Sequence, residues 1–251
     1  MLALLAGPFG SYAVAMTALL AERLRQRVRL NGSTPLLTYY DLGSGERIEL
    51  SATSFSNWVD KTSNLLVDEV AVDEGDLVSM PLAVEAPGHW ITAVWQLACW
   101  QVGLVVDITG PRAPAAVVAG RQWQGHAGDA VYACALHPMG FGFREPLPES
   151  VRDYAIEVRN HPDSYSGAPI GPDAIAWIDA ERRLSQAELV RVDGPPMRRL
   201  VRVGKPWSTG HDGVITALVS GGSAVVVVGG AADQLARISS SEHAAAFSTA
   251  H

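Results

Sequence analysis

Residues 53–108 constrain this chain more than any other stretch, because two helical periods alternate there with two short apolar runs. Phe55, Trp58, Val59, Thr62, Leu65, Leu66, Glu69 and Val70 follow a 3.6-residue period, with Thr62 and Glu69 as its polar lapses. Ser54 stands where an N-cap is expected. Val72-Asp73-Glu74-Gly75-Asp76 breaks this helix, and Leu77-Val78-Ser79-Met80-Pro81-Leu82 follows as an apolar run. A second helix is expected from Gly88-His89-Trp90, carrying Ile91, Val94, Trp95, Leu97, Ala98 and Val102 and stopping at Gly103. Leu104-Val105-Val106-Asp107-Ile108 then reads as a buried strand. Strand, crossover helix, strand is a right-handed βαβ unit with a parallel pair.

The flanks extend the pattern. Residues 18–30 form an amphipathic helix with Leu19, Leu20, Leu24 and Val28 inward, ended by Asn31-Gly32-Ser33. Residues 35–41 and 47–51 read as strands, joined as a hairpin across Gly43-Ser44-Gly45. Residues 115–119 and 130–136 are expected as buried strands, while 120–129 fits a loop or a short helix equally well. Residues 155–159 read as a strand, 162–172 as an exposed connection, and 174–178 as a strand. Ser185-Gln186-Ala187-Glu188 has a capping-box pattern and opens a short helix. A strand at 198–203, a helix at 211–219 ended by Gly221-Gly222, and a β-branched strand at 223–228 come next. The last helix is expected at 231–246, with Leu235 and Ile238 inward. This order predicts an α/β fold with a largely parallel sheet flanked by helices, as one domain over residues 16–251.

A chain of 251 residues with 48% hydrophobic content can bury a full core. The net charge of -7, without any basic run interleaved with aromatics, argues against nucleic acid or an anionic membrane surface as partner. Cys99 and Cys134 both lie in apolar runs and read as buried free thiols of a reducing compartment. Cys134 and His137 have the residue types of a metal half-site, but no second ligand pair lies nearby, so no metal is expected. Residues 1–21 carry no charge, and Ala13-Val14-Ala15 resembles a cleavage site. No basic segment precedes it, however, and Gly7, Pro8, Gly10 and Ser11 interrupt the apolar part. From Met16 the run leads into Glu22, Arg23, Arg25 and Arg27, as in a surface helix rather than a membrane span. The expectation is a cytoplasmic chain with a disordered extension at 1–15 and no membrane contact.

Four motifs carry a resemblance. They are Leu37-Thr38-Tyr39-Tyr40 with the helix from Asn57 to Leu66; Glu74-Gly75-Asp76-Leu77-Val78, similar to x-G-D-x-V; Leu97-Ala98 through Gly103-Leu104-Val105-Val106, similar to L-A-x-x-x-x-G-A-x-V; and Leu218 through Gly221-Gly222-Ser223 to Val227, similar to L-x-x-G-G-S-x-V-L-V. In order and spacing they resemble the N-terminal lobe of acyl-CoA synthetases, in the adenylate-forming superfamily. In particular the chain resembles a short family of high-GC bacteria that retains only this lobe. The resemblance implies that lobe's fold.

It also implies parts that the sequence departs from. Adenylate-forming enzymes carry a Ser/Thr/Gly-rich phosphate loop ending in Pro-Lys-Gly, whose N–H groups hold ATP phosphates. It belongs between Ile175 and Trp207, where this chain reads Trp177-Ile178-Asp179-Ala180-Glu181-Arg182-Arg183-Leu184-Ser185. Ser208-Thr209-Gly210 has a similar composition, but no Pro-Lys-Gly follows. Gly204-Lys205 mimics a Walker ending only superficially, since Pro206 replaces Ser/Thr and no glycine sits at the upstream spacing. The sequence also reads as ending before the Y-G-x-T-E loop and the C-terminal domain whose lysine serves adenylation. Ser208, His211 and Asp212 have the types of a hydrolase triad, yet they are contiguous and lack a G-x-S-x-G elbow.

The expected role is therefore a catalytically degenerate lobe acting as a binding or assembly module, for an acyl or CoA-like ligand or a protein partner, with no catalytic residue and no cofactor. The alternative is an acyl-activating, AMP-forming ligase complete only with a partner chain, which would need ATP and magnesium. Candidate ligand residues are His89 and Trp90, at a helix start near which the family places substrate-side loops, and Trp207, Ser208, Thr209 and His211. A homodimer through residues 207–228 is expected, because full-length relatives cover a face of this lobe. The alternative is that residues 110–194 fold back over that face.

Overall fold

The computed structural model describes residues 19–246. The extension at 1–15 and the helix start near Met16 lie outside the described residues. Helix α1 (Leu20–Asn31) buries Leu20 and Leu24. Strands β1 (Pro35–Asp41) and β2 (Glu46–Ser51) form the expected hairpin, with Gly45 N donating to Asp41 O at 2.9 Å across the turn. Helix α2 (Ala52–Leu65) starts one turn earlier than expected, since Ser51 Oγ is the cap and accepts from Ser54 N at 3.1 Å. A π-helical turn (Leu66–Val70) extends it. Strand β3 (Leu77–Ser79) is shorter than its apolar run because Pro81 opens a short helix, α3 (Pro81–Glu85). Helix α4 (Trp90–Val102) is capped by His89 and ends at Gly103 in the left-handed region, φ 90°.

Strands β4 (Val105–Asp107), β5 (Ala116–Ala119), β6 (Val131–Ala133) and β7 (Arg152–Asp153) follow, with residues 120–129 irregular. Residues 155–159 are helical and not a strand: α5 (Tyr154–Glu157) continues as a 3-10 turn (Val158–Asn160). Asp153 Oδ1 caps it, accepting from Ala155 N at 3.0 Å. Tyr154 and Val158, four apart, both turn into the core, which only a helical period allows. Strands β8 (Ile175–Ile178) and β9 (Arg183–Ser185) form a second hairpin, and α6 (Gln186–Leu189) carries the expected Ser185–Glu188 capping box. After β10 (Arg198–Arg202) the chain is helical from Pro206, as α7 (Pro206–Gly210), a π turn (His211–Ile215) and α8 (Thr216–Ser220). Strand β11 (Ser223–Val228), helix α9 (Ala232–Ser241) and strand β12 (Ala245–Ala246) complete it, so the last helix is shorter than expected.

The strands form two mostly parallel sheets where one was expected. The first runs β12-β10-β11-β1-β2 and the second β7-β6-β5-β3-β4-β8-β9. Among the described residues only the two hairpins, β1–β2 and β8–β9, are antiparallel. Every residue of α4 except Ala93 is buried, as in a helix enclosed on all sides, and it packs on α1, α2 and β4. One core runs from Leu36 and Leu37 through Phe55 and Trp95 to Val106, Val118 and Tyr132, and so joins both sheets.

Gly221 ends α8 at φ 77°, and a Cβ on Gly222 would lie 2.1 Å from Met197 O. The Gly-Gly pair is thus required by a left-handed turn and by the close approach of the chain entering β10. Residues 207–228, expected as a contact face, are mostly interior: Asp212, Gly213, Val214 and Ile215 are buried, as is β11 from Ser223 to Val227. Strand β11 is flanked by β10 and β1, so its apolar run covers the core on both faces. Among the described residues no helix is long and apolar enough to cross a membrane.

Candidate functional site

In parallel α/β sheets, ligands settle at the carboxyl ends of the strands. Here those ends converge. Asp41, Val203 and Val228, at or just past the ends of β1, β10 and β11, line a cleft of about 230 Å³. Its opposite wall comes from the second sheet's loops: Glu85 at the end of α3, Arg121 after β5 and Leu136 after β6. Tyr39, Ser44, Glu46 and His89 complete the polar lining.

Each of these side chains is held by its own local chemistry. His89 is the N-cap of α4, its Nδ1 accepting from Ile91 N at 3.2 Å. A neutral ring that accepts at Nδ1 carries its proton on Nε2. His89 is only 3% exposed, and its Nε2 has no hydrogen-bond partner. Burial, and then the positive charge of Arg121 against the opposing pull of Asp41, lower its pKa to about 3, so the ring is neutral at pH 7. Tyr39 and His89 meet in a T-shaped contact, with centroids 5.0 Å apart, and burial raises the phenol pKa. Asp41 Oδ1 holds the hairpin turn, accepting from Gly43 N at 2.8 Å and Ser44 N at 3.3 Å. Glu85 accepts from Arg121 N at 2.8 Å and Gln122 N at 3.3 Å; a Cβ on Gly120 would lie 2.4 Å from its carboxylate. The Arg121 guanidinium donates to Ala135 O at 2.8 Å and Leu136 O at 3.1 Å, clasping the loops after β5 and β6. On the far side of Glu85 a second hollow of about 400 Å³ follows the carboxyl edge past Ser79, Thr109 and Gln122.

The interval expected to hold a phosphate loop is closed instead by the tight turn of the β8–β9 hairpin. Asp179 N donates to Arg182 O at 3.0 Å across it. Asp179 also accepts from Trp177 Nε1 at 2.9 Å, Glu181 N at 2.8 Å and Arg182 Nη1 at 3.3 Å. Burial works to raise the Asp179 pKa, but these hydrogen bonds and the Arg182 charge outweigh it and hold the carboxyl below its usual range. The Asp179 and Glu181 N–H groups are thus used within the turn, and Arg182 pairs with Asp179 at 3.3 Å and Glu181 at 2.9 Å, so its charge is spent on the turn's own carboxylates. The start of α7 is no better suited: Pro206 has no N–H, and Gly204 N donates to Thr209 Oγ1 at 2.9 Å.

No protein-family model matches the chain. A Mycobacterium tuberculosis (strain ATCC 25618 / H37Rv) protein described as "TIGR03089 family protein" is 36% identical over 155 residues, which cover 59% of this chain and 62% of that relative. The anthranilate CoA ligase AuaEII, solved with anthranoyl-AMP, superposes with a TM-score of 0.68 at 12% identity over 90% of this chain. An acyl-CoA synthetase of Brucella canis gives 0.68 at 13% identity over 93% of it, and the N-terminal domain of FACL13 from Mycobacterium tuberculosis gives 0.63 at 14% identity over 90%. The fold is that of an acyl-CoA synthetase N-terminal lobe. The chain spans 48% of the AuaEII chain, 49% of the Brucella synthetase and 61% of the FACL13 domain.

Within this lobe the six expected ligand residues separate. His89 lies on the cleft and shares a small void of about 10 Å³ with Thr209 and Gln96, room for roughly one water. Trp90 points elsewhere, into a groove of about 400 Å³ with Ile48, Leu50, Trp58 and Met139. Trp207 packs between Trp177 and His211, with centroids 5.4 Å from each. Ser208 Oγ donates to Lys205 O at 3.2 Å, part of the helix start. His211 Nδ1 meets Asp212 Oδ1 at 3.0 Å, but Ser208 Oγ is committed to Lys205 O. Cys99 and Cys134 are free and buried, which raises both thiol pKa values. Among the described residues no group of three or more His, Cys, Asp or Glu is placed to hold a metal ion. Tyr39, Asp41, Glu46, Glu85 and Arg121 were not singled out from sequence; the available signal was Asp41, the last residue of an expected strand, and Arg121, just beyond another.

Proposed function

We propose that this acyl-CoA-synthetase-like lobe is a binding module that does not itself activate carboxylic acids, with its ligand site in the cleft around His89. The observation that carries this reading is the closed β8–β9 turn: in the interval where the resemblance requires phosphate contacts, the Asp179 and Glu181 N–H groups and the Arg182 guanidinium are engaged by the turn's own acceptors. Phosphoryl and adenylyl transfers depend on preorganised positive charge around the phosphates. The cleft lining supports the same reading. Asp41, Glu46 and Glu85 face one arginine, a balance that disfavours the polyanionic end of CoA and leaves at most its acyl or pantetheine part as ligand. Calorimetry with ATP and magnesium tests the proposal: binding weaker than about 1 mM, or roughly 4 kcal/mol, is expected. A micromolar constant would overturn it.

A second reading is a ligase completed by a partner chain that supplies the missing groups. It is favoured by the length relation, since this chain superposes on about half of the AuaEII and Brucella chains while retaining the carboxyl edges of both sheets. Under that reading ATP and magnesium bind only when the partner is added.

A further inference from the structure

Among the described residues the two sheets have four edges, and they are not guarded alike. Strands β12 and β7 are two residues long and β9 three, too short to template another strand, whereas β2 presents six, Glu46 to Ser51. Strand β1 pairs with one side of β2; on the other side, among the described residues, nothing bonds its N–H and C=O groups. Side chains alternate between the two faces of a strand, yet four consecutive residues, Arg47, Ile48, Glu49 and Leu50, line the groove of about 400 Å³ that holds Trp58 and Trp90. The groove therefore opens onto the free edge of β2 and not onto one of its faces. Ile48 and Leu50 pack on the core together with Trp58 and Trp90, and Met139, also in the lining, is 71% exposed.

We propose that β2 pairs antiparallel with β2 of a second copy about a twofold axis at Ile48, joining two five-stranded sheets edge to edge. The order of residues along the strand selects both the partner and the register. Residues directly opposite each other share a face, so an axis normal to the sheet must fall at a residue. Centred on Arg47 it sets Arg47 against its own copy, and centred on Glu49 it does the same for Glu49; like charges directly opposite repel. Axes at the strand ends leave most of the six residues unpaired. Centred on Ile48 it sets each Arg47 against the partner's Glu49, an attractive cross-strand pair made twice, with Ile48 opposite Ile48 between them. Glu46 then lies opposite the partner's Leu50. Arg47 and Glu49 touch at 2.9 Å within one chain, and at 44% and 34% exposed both remain open to a second partner. Glu242 and Arg198 pair with them, so the four charges of this face cancel and do not oppose a second copy.

Light scattering and directed disulfides on the full chain test the pairing. The wild-type chain is expected to give the dimer mass, with a dissociation constant below about 10 μM. Directly opposite residues have Cα atoms about 4.5–5.5 Å apart, within disulfide reach, whereas residues four apart along a strand are about 14 Å away. Ile48→Cys is therefore expected to cross-link to its copy under mild oxidation on the order of tenfold faster than Glu49→Cys or Leu50→Cys. Cys99 and Cys134 are buried and stay silent in this assay. A mixture of Glu46→Cys and Leu50→Cys chains is expected to cross-link as the mixed dimer, which keeps the register testable if Ile48→Cys does not fold. A monomeric mass for the wild-type chain overturns the proposal and leaves the edge of β2 to an extended segment of another protein. Equal cross-linking of all the single variants, or faster cross-linking at Glu49 or Leu50 than at Ile48, overturns it as well.

Discussion

Glu242 ties the carboxy-terminal segment to the first sheet, and removing its charge has a calculable consequence. It follows α9 directly and accepts from Tyr40 Oη at 2.5 Å, Arg47 Nη2 at 2.9 Å and Arg198 Nη2 at 2.5 Å. Its side chain is 11% exposed. Burial acts to raise its pKa, but the hydrogen bonds from Tyr40, Arg198 and Arg47 outweigh that and bring it down to about 2. Against an unfolded value of roughly 4.3, at about 1.36 kcal/mol per pH unit, the difference corresponds to about 3 kcal/mol. Arg47 is 44% exposed and Glu49 also pairs with both arginines, so solvent screening and that second carboxylate reduce the effect to about 2 kcal/mol. Glu242→Gln is therefore expected to lower stability at pH 7 by about 2 kcal/mol, or roughly 4–8 °C in Tm for a chain of this size. The folded pKa lies below the unfolded one, so the contribution is full above about pH 4.3 and disappears as pH falls toward 2. Urea unfolding of both proteins from pH 7 to pH 2.5 measures it. Equal stability at pH 7, or a gap that does not narrow below pH 4, refutes the reasoning.

Gly222→Ala forces a Cβ against Met197 O, a backbone atom with little freedom, and is expected to cost more than about 2 kcal/mol in urea unfolding. Ser51→Ala removes the α2 cap and is expected to cost about 1 kcal/mol, while Ser54→Ala, inside the first turn, costs less. Both cysteines should resist Ellman's reagent in the native state and react once urea unfolds the chain; fast native labelling of either would contradict their burial. A homodimer remains a proposal, now without residues 207–228 as its face. The exposed Met139 and Phe141 beside the Trp58–Trp90 groove give a new site for it, and light scattering at micromolar concentration is expected to give twice the monomer mass.

What could be read in the sequence depended on period and punctuation. Helix α4 was legible because its apolar residues recur on every turn from Trp90 to a glycine that adopts φ 90°. Residues 155–159 were misread because five residues are too few to tell a strand from one helical turn, and Asp153 as a cap decides it. Strand β9 went unseen because Arg183-Leu184-Ser185 has no period; its pairing with β8 makes it a strand. The division into two sheets follows from which crossovers pair, β1 with β11 across most of the chain, and no local pattern records that. The site was half legible for the same reason. His89 announced itself as a helix start, whereas Asp41, Glu85 and Arg121 come together only once both sheets place their carboxyl ends on one cleft.

We propose that this chain, with the fold of an acyl-CoA synthetase N-terminal lobe, does not adenylate carboxylic acids. ATP–pyrophosphate exchange by the purified chain, across a panel of aliphatic, aromatic and amino carboxylic acids, tests it most directly. The closed Asp179–Arg182 turn predicts no exchange above the enzyme-free background with any acid. Acid-dependent exchange by the chain alone would contradict the account.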